Sequence, residues 1–331
     1  MAAGQLSDQP QPVGAGAELT AIDPTAIAAR SPWQLFWRSF KEDKLALISL
    51  AFVVLLILVA IFAPFFLKLA GGDTNYNHRD TAALDPVWAS ATGPSSHHIF
   101  GVDNLGRDVF VRTIYGARVS LIVAFVATII STILGIIAGL LSGYYRGWVD
   151  TVISRSVDVL LAIPYLLLAT GLAASCTLGG NGCLGGLIKP GLGVVIFVIS
   201  ITSWTYMARI VRGQTLSLRE KEFVEASRAA GATDGRIIFS ELLPNLTAPI
   251  VVYASILIPQ VILYEAALSF LGVGVTSQPS WGQMISDATP TFNDAWWYML
   301  FPGLALLFTV LACNIIGDAL QDALNPRSKK R

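Results

Sequence analysis

The stretch Leu216–Asn245, LSLREKEFVEASRAAGATDGRIIFSELLPN, is a polar segment between two long apolar ones. The flanking segments, Gly191–Ile210 and Pro249–Leu271, are apolar enough to lie in lipid. The polar stretch therefore emerges as a loop on one face of a membrane, and the rest of the chain can be placed relative to it.

The first half of this loop has the spacing of a short helix. Phe223, Ala226 and Ala230 recur at i, i+3 and i+7, with charged residues on the other side. Gly231 is a natural C-terminal stop, because glycine adopts positive φ without steric cost. Small side chains near this end would let another backbone come close, so the helix is suited to docking against a polar surface.

The second half of the loop predicts another helix. Thr233 can cap it, its first turn holds Asp234, and Pro244 is expected to close it. We therefore expect a short helix, a bend and a second short helix. A solvated amphipathic loop is the alternative that this stretch by itself leaves open.

Composition places the chain in a bilayer. Of its 331 residues, 54% are hydrophobic and only 13% are charged, and the mean hydropathy is +0.62. Soluble domains carry about 25% charged residues. The formal net charge of zero gives no support for nucleic-acid binding, which needs clustered excess Lys and Arg. We predict an all-α, polytopic membrane protein.

Six segments are long and apolar enough to cross about 30 Å of hydrocarbon at about 1.5 Å per residue. The third is the weakest, since Pro164 interrupts it and Arg155 and Asp158 lie near its start. The six predicted transmembrane helices are Leu45–Leu67, Val119–Tyr144, Val157–Cys176, Gly191–Ile210, Pro249–Leu271 and Trp297–Gly317.

The distribution of basic residues predicts which side faces the cytoplasm. With the N-terminus inside, 16 of the 22 Lys and Arg residues fall in inner segments and six in outer ones, as the preference of basic residues for the cytoplasmic side requires. Both termini and the polar loop, taken as 211–245, are therefore predicted to be cytoplasmic.

The segments outside the spans have distinct compositions. Residues 1–31 predict a disordered cytoplasmic tail, and 321–331 a second cytoplasmic tail. Residues 32–44 combine aromatic side chains at helical spacing with nearby basic residues, which indicates an amphipathic helix lying along the membrane interface. The first external loop is 68–118.

That external loop contains the string HIFGVDNLGRD at His98–Asp108. Its two glycines predict turns, and Asp103, Arg107 and Asp108 can brace one another at the entrance of a helix. These features favour a structured loop with internal salt bridges over a ligand site.

The polar loop resembles the cytoplasmic coupling motif of ABC importer permeases, in which Glu-Ala-Ala is followed four positions on by Gly and later by a hydrophobic-Leu-Pro ending. Ser227 stands in place of the second Ala, and Glu241 where an aliphatic residue is frequent. Neither change alters the expected helix, bend and helix. The matching residues are Glu225-Ala226-Ser227, Gly231 and Leu242-Leu243-Pro244.

Three further strings narrow the resemblance to the peptide and nickel subfamily of these permeases. The external string looks like the signature near its second span, with Val102 where Thr or Ser is common. EAALSFLG at 265–272, with PSWG at 279–282, is similar to its fifth span and the outer loop behind it. The C-terminal residues look like its ending, with Asn325 where Asp is usual; they are Asn314, Gly317–Leu320, Asp322 and Leu324–Arg327. The chain is thus identified as a second-permease (C-type) member.

This resemblance implies the type I ABC importer permease fold, with a core domain at 119–320 that holds five spans and the coupling loop 211–245. It implies a permease subunit that forms half of a translocation pathway for di- or oligopeptides, with nickel and glutathione importers of the same subfamily as alternatives. The implied ATPase-coupling residues are Glu225, Ala226, Ser227, Gly231, Leu243 and Pro244.

The resemblance also implies a set of partners in a bacterial cell membrane. They are a second homologous permease subunit, two cytoplasmic ATP-binding subunits that use ATP and Mg, and an extracytoplasmic peptide-binding protein. The chain itself is expected to bind no cofactor.

Several kinds of chemistry are missing from the sequence. It contains no G-x-x-x-x-G-K-[ST] phosphate loop and no G-x-S-x-G, H-E-x-x-H or C-x-x-C string. We therefore predict a non-catalytic subunit that takes its energy from a separate ATPase. A secondary transporter that works without ATP is the alternative of a different class, but it would predict internal repeats and several charges within the membrane.

Two pairs of outer residues could carry chemistry. Cys176 and Cys183 bracket a Gly-rich turn, so a disulfide and two free thiols are both open. His97 and His98 are adjacent and would point to different faces of any regular element, so we predict no metal site.

Glu265 is an ionisable residue inside a predicted span, where burial of a charge is costly. It could line the substrate pathway together with Ser269. The alternative is a structural hydrogen bond to Ser269 or to a partner subunit.

Overall fold

The computed structural model describes Trp37 and residues 40–69, 74–85, 91–178, 182–275 and 277–324. Within these ranges the secondary structure is helical, apart from turns and two isolated β-bridges, as the composition predicts. Besides short 3-10 turns, the helices are α1 (Lys44–Ile61), α2 (Ala63–Leu69), α3 (Val109–Tyr145), α4 (Gly147–Ala162), α5 (Tyr165–Leu178), α6 (Leu192–Leu218), α7 (Glu222–Ala229), α8 (Asp234–Phe270), α9 (Trp281–Ala288) and α10 (Trp296–Leu324).

Five of these helices are long and apolar enough to cross a membrane by themselves: α1, α3, α6, α8 and α10. The third predicted span is a broken one, since α4 and α5 meet at an angle of 94°. Ile163 and Pro164 form the break, because proline has no N–H to donate and disfavours helical backbone in the residue before it. Six spans result if the bent pair is counted as one.

The helix that contains the second predicted span begins ten residues before that span. Asp108 caps α3, and its carboxylate accepts hydrogen bonds from the backbone N–H groups of Phe110 (2.8 Å) and Val111 (3.1 Å). Residues 109–118 of the predicted external loop 68–118 are therefore the first turns of α3. Arg112 lies within this helix and is 2% exposed, beside the carboxylates of Asp103 and Asp287.

The external string His98–Asp108 is held together by carboxylates. Asp103 is fully buried and lies 2.6 Å from Nε of Arg107, which is the salt bridge that the sequence predicts. Asp108 does not join that pair, and its second oxygen lies 2.8 Å from Nδ1 of His98. His98 is therefore used to brace the loop, and no group of three metal-ligating side chains occurs in the described ranges.

The centre of the fold is the pairing of α3 with α6. Three glycines one turn apart on α3 allow the two backbones to approach closely, as small residues do in membrane helix pairs. A Cβ atom on any of them would come within 2.5 to 2.7 Å of a side chain on α6. Gly135, Gly139 and Gly143 face Met207, Val211 and Thr215, respectively.

The two ends of the chain are described only in part. The predicted tail 1–31 and most of the predicted interfacial helix 32–44 lie outside the described residues, although Trp37 and residues 40–42 are helical. Asp43 then caps α1 by accepting from the backbone N–H groups of Leu45 and Ala46. At the other end, α10 continues to Leu324, so the predicted tail 321–331 begins inside that helix.

Candidate coupling site

The helix α7 is attached to the rest of the chain through Val224. Val224 is fully buried, whereas Phe223, which the helical spacing selects, is 37% exposed. Ala226 and Ala230 are exposed as well. The predicted apolar stripe therefore lies on the exposed face of α7. The face that packs against the core is the one that carries Val224.

Gly231 ends α7 as predicted, through a complete Schellman motif. Its φ is +80°. The N–H of Gly231 donates to the carbonyl of Arg228 (3.0 Å), and the N–H of Ala232 donates to the carbonyl of Ser227 (3.0 Å). These two bonds satisfy carbonyl groups that the helix end would otherwise leave free. Gly231 is exposed, and a Cβ atom there would meet no other group of the described residues within 4 Å.

The second helix of the loop is not short. Thr233 occupies the capping position, without a side-chain capping bond in the described structure, and α8 runs from there through the fifth span to Phe270. Pro244 does not close it, because Ile237–Leu242 form a π-helical turn just before the proline. The N–H of Leu243 donates to the carbonyl of Ile238, five residues back. The hydrogen-bonding pattern of the helix therefore changes just before Pro244, which has no backbone N–H to donate.

The loop rests on an apolar cluster at the C-terminal parts of α3 and α6, here called the inner cluster. Val224 of α7 and the first turns of α8 pack into it, and Leu243 lies half-buried at its edge. Both halves of the predicted coupling motif are therefore supported by the same core. The buried members are Leu140, Tyr144, Met207, Val211, Val224, Ile237, Ile238, Leu242, Leu246 and Ile250.

Polar contacts tie the same elements together. The hydroxyl of Tyr144 donates to Oδ1 of Asp234 (2.6 Å), and the guanidinium of Arg219 donates to the backbone carbonyl of Tyr144. Nη2 of Arg146 lies 2.6 Å from Oε1 of Glu220. Sequence reasoning missed these contacts, since the paired residues are 74 to 90 positions apart.

The opposite side of the loop is an open surface. Glu225, Ala226, Gly231 and Pro244 are exposed, and Ser227 is half-buried. Phe239, which the sequence analysis did not select, is 68% exposed in the π-helical turn. We call these six residues the docking surface. A body that moved this surface would also move the start of α8, which is continuous with a membrane span.

Glu265 and Ser269 lie inside the protein. Glu265 is fully buried and accepts hydrogen bonds from the hydroxyls of Ser120 on α3 (2.9 Å) and Ser269 one turn away (2.7 Å). Of the two roles left open by the sequence, this geometry fits the structural one.

Cys176 and Cys183 form a disulfide, with their Cα atoms 4.7 Å apart. The bridge joins the end of α5 to the short turn that precedes α6. Cys313 is a free, buried cysteine on α10.

Comparison with known families identifies the fold. Residues 131–330, more than half of the chain, match the family described as binding-protein-dependent transport system inner membrane component. The chain belongs to this family. Residues 31–86 of the same permease match the N-terminal TM domain of oligopeptide transport permease C. The resemblance to the peptide and nickel subfamily is thereby confirmed.

Individual relatives cover nearly the whole permease. The dipeptide transport system permease protein DppC of Alkalihalophilus pseudofirmus is 40% identical over 302 residues, which is 91% of this chain and 92% of the relative. The glutathione transport system permease protein GsiD of Escherichia coli is 40% identical over 301 residues, with the same coverage. DppC of Bacillus subtilis is 38% identical over 89% of this chain and 85% of its own length.

Solved structures agree on the fold. A chain of the inward-facing MetNI methionine ABC transporter superposes with a TM-score of 0.53 and 22% identity, covering 65% of this permease and 97% of that chain. A second crystal form of the same transporter gives a TM-score of 0.51. The predicted ABC importer permease fold is confirmed.

Proposed function

We propose that this permease is one of two membrane subunits of an ATP-driven importer for short peptides, and that its docking surface receives force from a cytoplasmic ATPase. Relatives that transport dipeptides and glutathione, itself a short peptide, support the substrate class. The absence of a phosphate-binding loop from the sequence supports an external energy source.

The continuity of the docking surface with α8 is the observation that carries this proposal. Glu225 and Gly231 are exposed on one side of the loop, while Val224 and Leu242 on the other side are fully buried in the inner cluster. Packed interiors transmit displacement instead of absorbing it. Movement of a docked ATPase would therefore rotate α7, α8 and the inner end of α3 together, and two such subunits would alternate between inward and outward openings.

The remaining parts of the importer follow from this arrangement. Two ATP-binding subunits would use ATP and Mg, a second, unlike permease would complete the pathway, and an extracytoplasmic protein would deliver the peptide. The basic residues of the inner segments favour a cytoplasmic position for both termini and for the docking surface. The membrane would be the bacterial cell membrane.

Glutathione is a second candidate substrate. The glutathione permeases match this chain with the same identity and coverage as the dipeptide permease. Uptake assays therefore need both dialanine and glutathione as probes.

The test is uptake by the complete transporter in vesicles. With binding protein outside and ATP inside, the wild type should accumulate dialanine or glutathione, and no uptake should occur without the ATPase subunits. Glu225→Lys should lower uptake at least tenfold, because it reverses a charge on the docking surface. Asp318→Lys is the matched control, since it reverses an exposed charge on α10. Uptake by the permease pair alone, or wild-type uptake by Glu225→Lys, would contradict the proposal.

A further inference from the structure

A cavity of about 200 Å³ lies beside the break between α4 and α5, against α6 and α8. We call it the tyrosine cavity, because four tyrosines from three helices line it. The rings of Tyr165 and Tyr264 stack with their centroids 3.8 Å apart and close one side. Its principal polar lining is Tyr165, Ser203, Tyr206, Tyr253, Gln260 and Tyr264.

Three buried hydroxyls of this cavity are poorly partnered within the described part of the chain. The hydroxyls of Tyr165, Ser203 and Thr205 are buried; that of Thr205 makes no hydrogen bond there, and those of Tyr165 and Ser203 have only each other and Thr202 as nearby partners. Leaving a buried hydroxyl without a well-formed partner is unfavourable. Three such groups around one cavity indicate that water or a polar ligand occupies it.

The open side of the cavity is polar at membrane depth. Gln260 is exposed and lies ten residues before the end of α8 at Phe270, which is about 15 Å at 1.5 Å per residue. Tyr206 on α6 is 55% exposed. A polar side chain facing hydrocarbon at this depth is costly. This side therefore faces an aqueous path or another protein, and not lipid.

The cavity contains no charged side chain among the described residues that line it. Hydroxyl and amide groups can hydrogen-bond the backbone of a short peptide, and aromatic faces attract an ammonium group without forming an ion pair. Such contacts suit a ligand that must be released again on the other side.

We propose that the tyrosine cavity is the place on this permease that contacts the transported peptide during passage, through Gln260, Tyr206 and the neighbouring hydroxyls. This inference rests on the proposed function, and it assigns the substrate contact to uncharged groups of α6 and α8. Glu265 takes no part in that contact, since it is buried between α3 and α8.

Cysteine accessibility in the assembled transporter tests the location. In a Cys313→Ala background, Gln260→Cys and Tyr206→Cys should react with a charged, membrane-impermeant methanethiosulfonate at least tenfold faster than Ile129→Cys. Ile129 is the matched control, because it is 56% exposed on α3 and apolar. Saturating dialanine, or glutathione if that is the probe taken up, with binding protein and ATP should slow modification of Gln260→Cys several-fold.

Each outcome decides a separate point. Equal rates at positions 260 and 129 would show a lipid-facing or dry surface and would overturn the cavity assignment, even if the wild type imports peptide. Fast modification that peptide does not slow would overturn the substrate contact. If the wild type imports neither probe, both the proposed function and the substrate contact are overturned. The labelling rates at positions 260 and 129 still show whether water reaches the cavity.

Discussion

The hydroxyl of Tyr144, in the last turns of α3, donates a 2.6 Å hydrogen bond to the carboxylate of Asp234 in the first turn of α8. Tyr144 is 6% exposed and belongs to the inner cluster, which also contains Val224 of α7. Tyr144, at the C-terminal end of a predicted span, is therefore hydrogen-bonded to the second half of the docking loop and shares an apolar core with the first half. A force applied to the docking surface has a direct route into α3 as well as α8.

Tyr144→Phe should loosen this junction without disturbing the ring packing. The lost hydrogen bond is worth about 1 kcal/mol, so amide hydrogen exchange in residues 234–242 should become roughly fivefold faster. Uptake per ATP hydrolysed should fall. Tyr145→Phe is the control, since Tyr145 is 49% exposed. Equal exchange in the two variants would show that the bond does not hold the loop.

Val224→Ala should destabilise the seating of α7. It removes two buried methyl groups and leaves a small cavity, at a cost of roughly 2 kcal/mol. We expect faster hydrogen exchange in residues 222–229 and weaker retention of the ATPase subunits during purification. Phe223→Ala should leave the exchange unchanged, because the Phe223 ring lies on the outer face. A larger effect of Phe223→Ala on exchange would mean that α7 is rotated from the orientation described.

Two substitutions of Gly231 test how the positive φ and the small size of this residue affect the coupling of ATP hydrolysis to uptake. Gly231→Asn should be tolerated, because asparagine adopts positive φ more readily than other non-glycine residues. Gly231→Val should uncouple ATP hydrolysis from uptake, since it strains the turn and adds bulk to the docking surface. Membrane insertion should remain normal in both variants. Wild-type coupling in Gly231→Val would remove Gly231 from the docking surface.

The bridge between Cys176 and Cys183 predicts a simple labelling result. The denatured, unreduced chain should take up one alkyl group, at Cys313, and the reduced chain should take up three. Replacing both bridged cysteines with Ser should lower the stability by about 2 to 3 kcal/mol, the usual range for a short closed loop. Cys313→Ala serves as the comparison in thermal unfolding. Three alkyl groups without reductant would show free thiols.

Glu265→Ala should act on stability more than on substrate affinity. It leaves the hydroxyls of Ser120 and Ser269 without their acceptor and opens a cavity, at a cost of roughly 2 to 4 kcal/mol. Glu265→Gln keeps an acceptor oxygen and the volume, so thermal unfolding of the assembled transporter should be closer to wild type. If both variants keep wild-type stability but change the apparent affinity for peptide, Glu265 contacts the substrate instead.

The sequence predicted the features that depend only on a few neighbouring residues, namely the positions of the spans and the end of α7. Hydropathy located the spans, because about 20 apolar residues suffice to cross a bilayer whatever their neighbours are. Gly231 marked the end of α7, since a positive φ is a property of one residue. The coupling motif and the external string His98–Asp108 identified the family because each is a short run of residues that can be recognised without the fold.

Tertiary structure decided the features that depend on distant neighbours. Phe223 and Val224 are both apolar, and only the position of the inner cluster determines that Val224 is buried. Pro244 closes a helix in isolation, but packing of Ile237, Ile238 and Leu242 into that cluster stabilises a π-helical turn that lets α8 continue.

The start of α3 and the tyrosine cavity also depend on contacts between residues that are distant in the sequence. Arg112 is tolerated inside a helix because Asp103 and Asp287 approach it from other parts of the chain, and four tyrosines from three helices converge only once α5, α6 and α8 are packed. Hydropathy and backbone preference act over a few residues and are readable from the sequence. Burial and hydrogen-bond pairing are set by contacts between residues far apart in the chain, and these exist only in the folded protein.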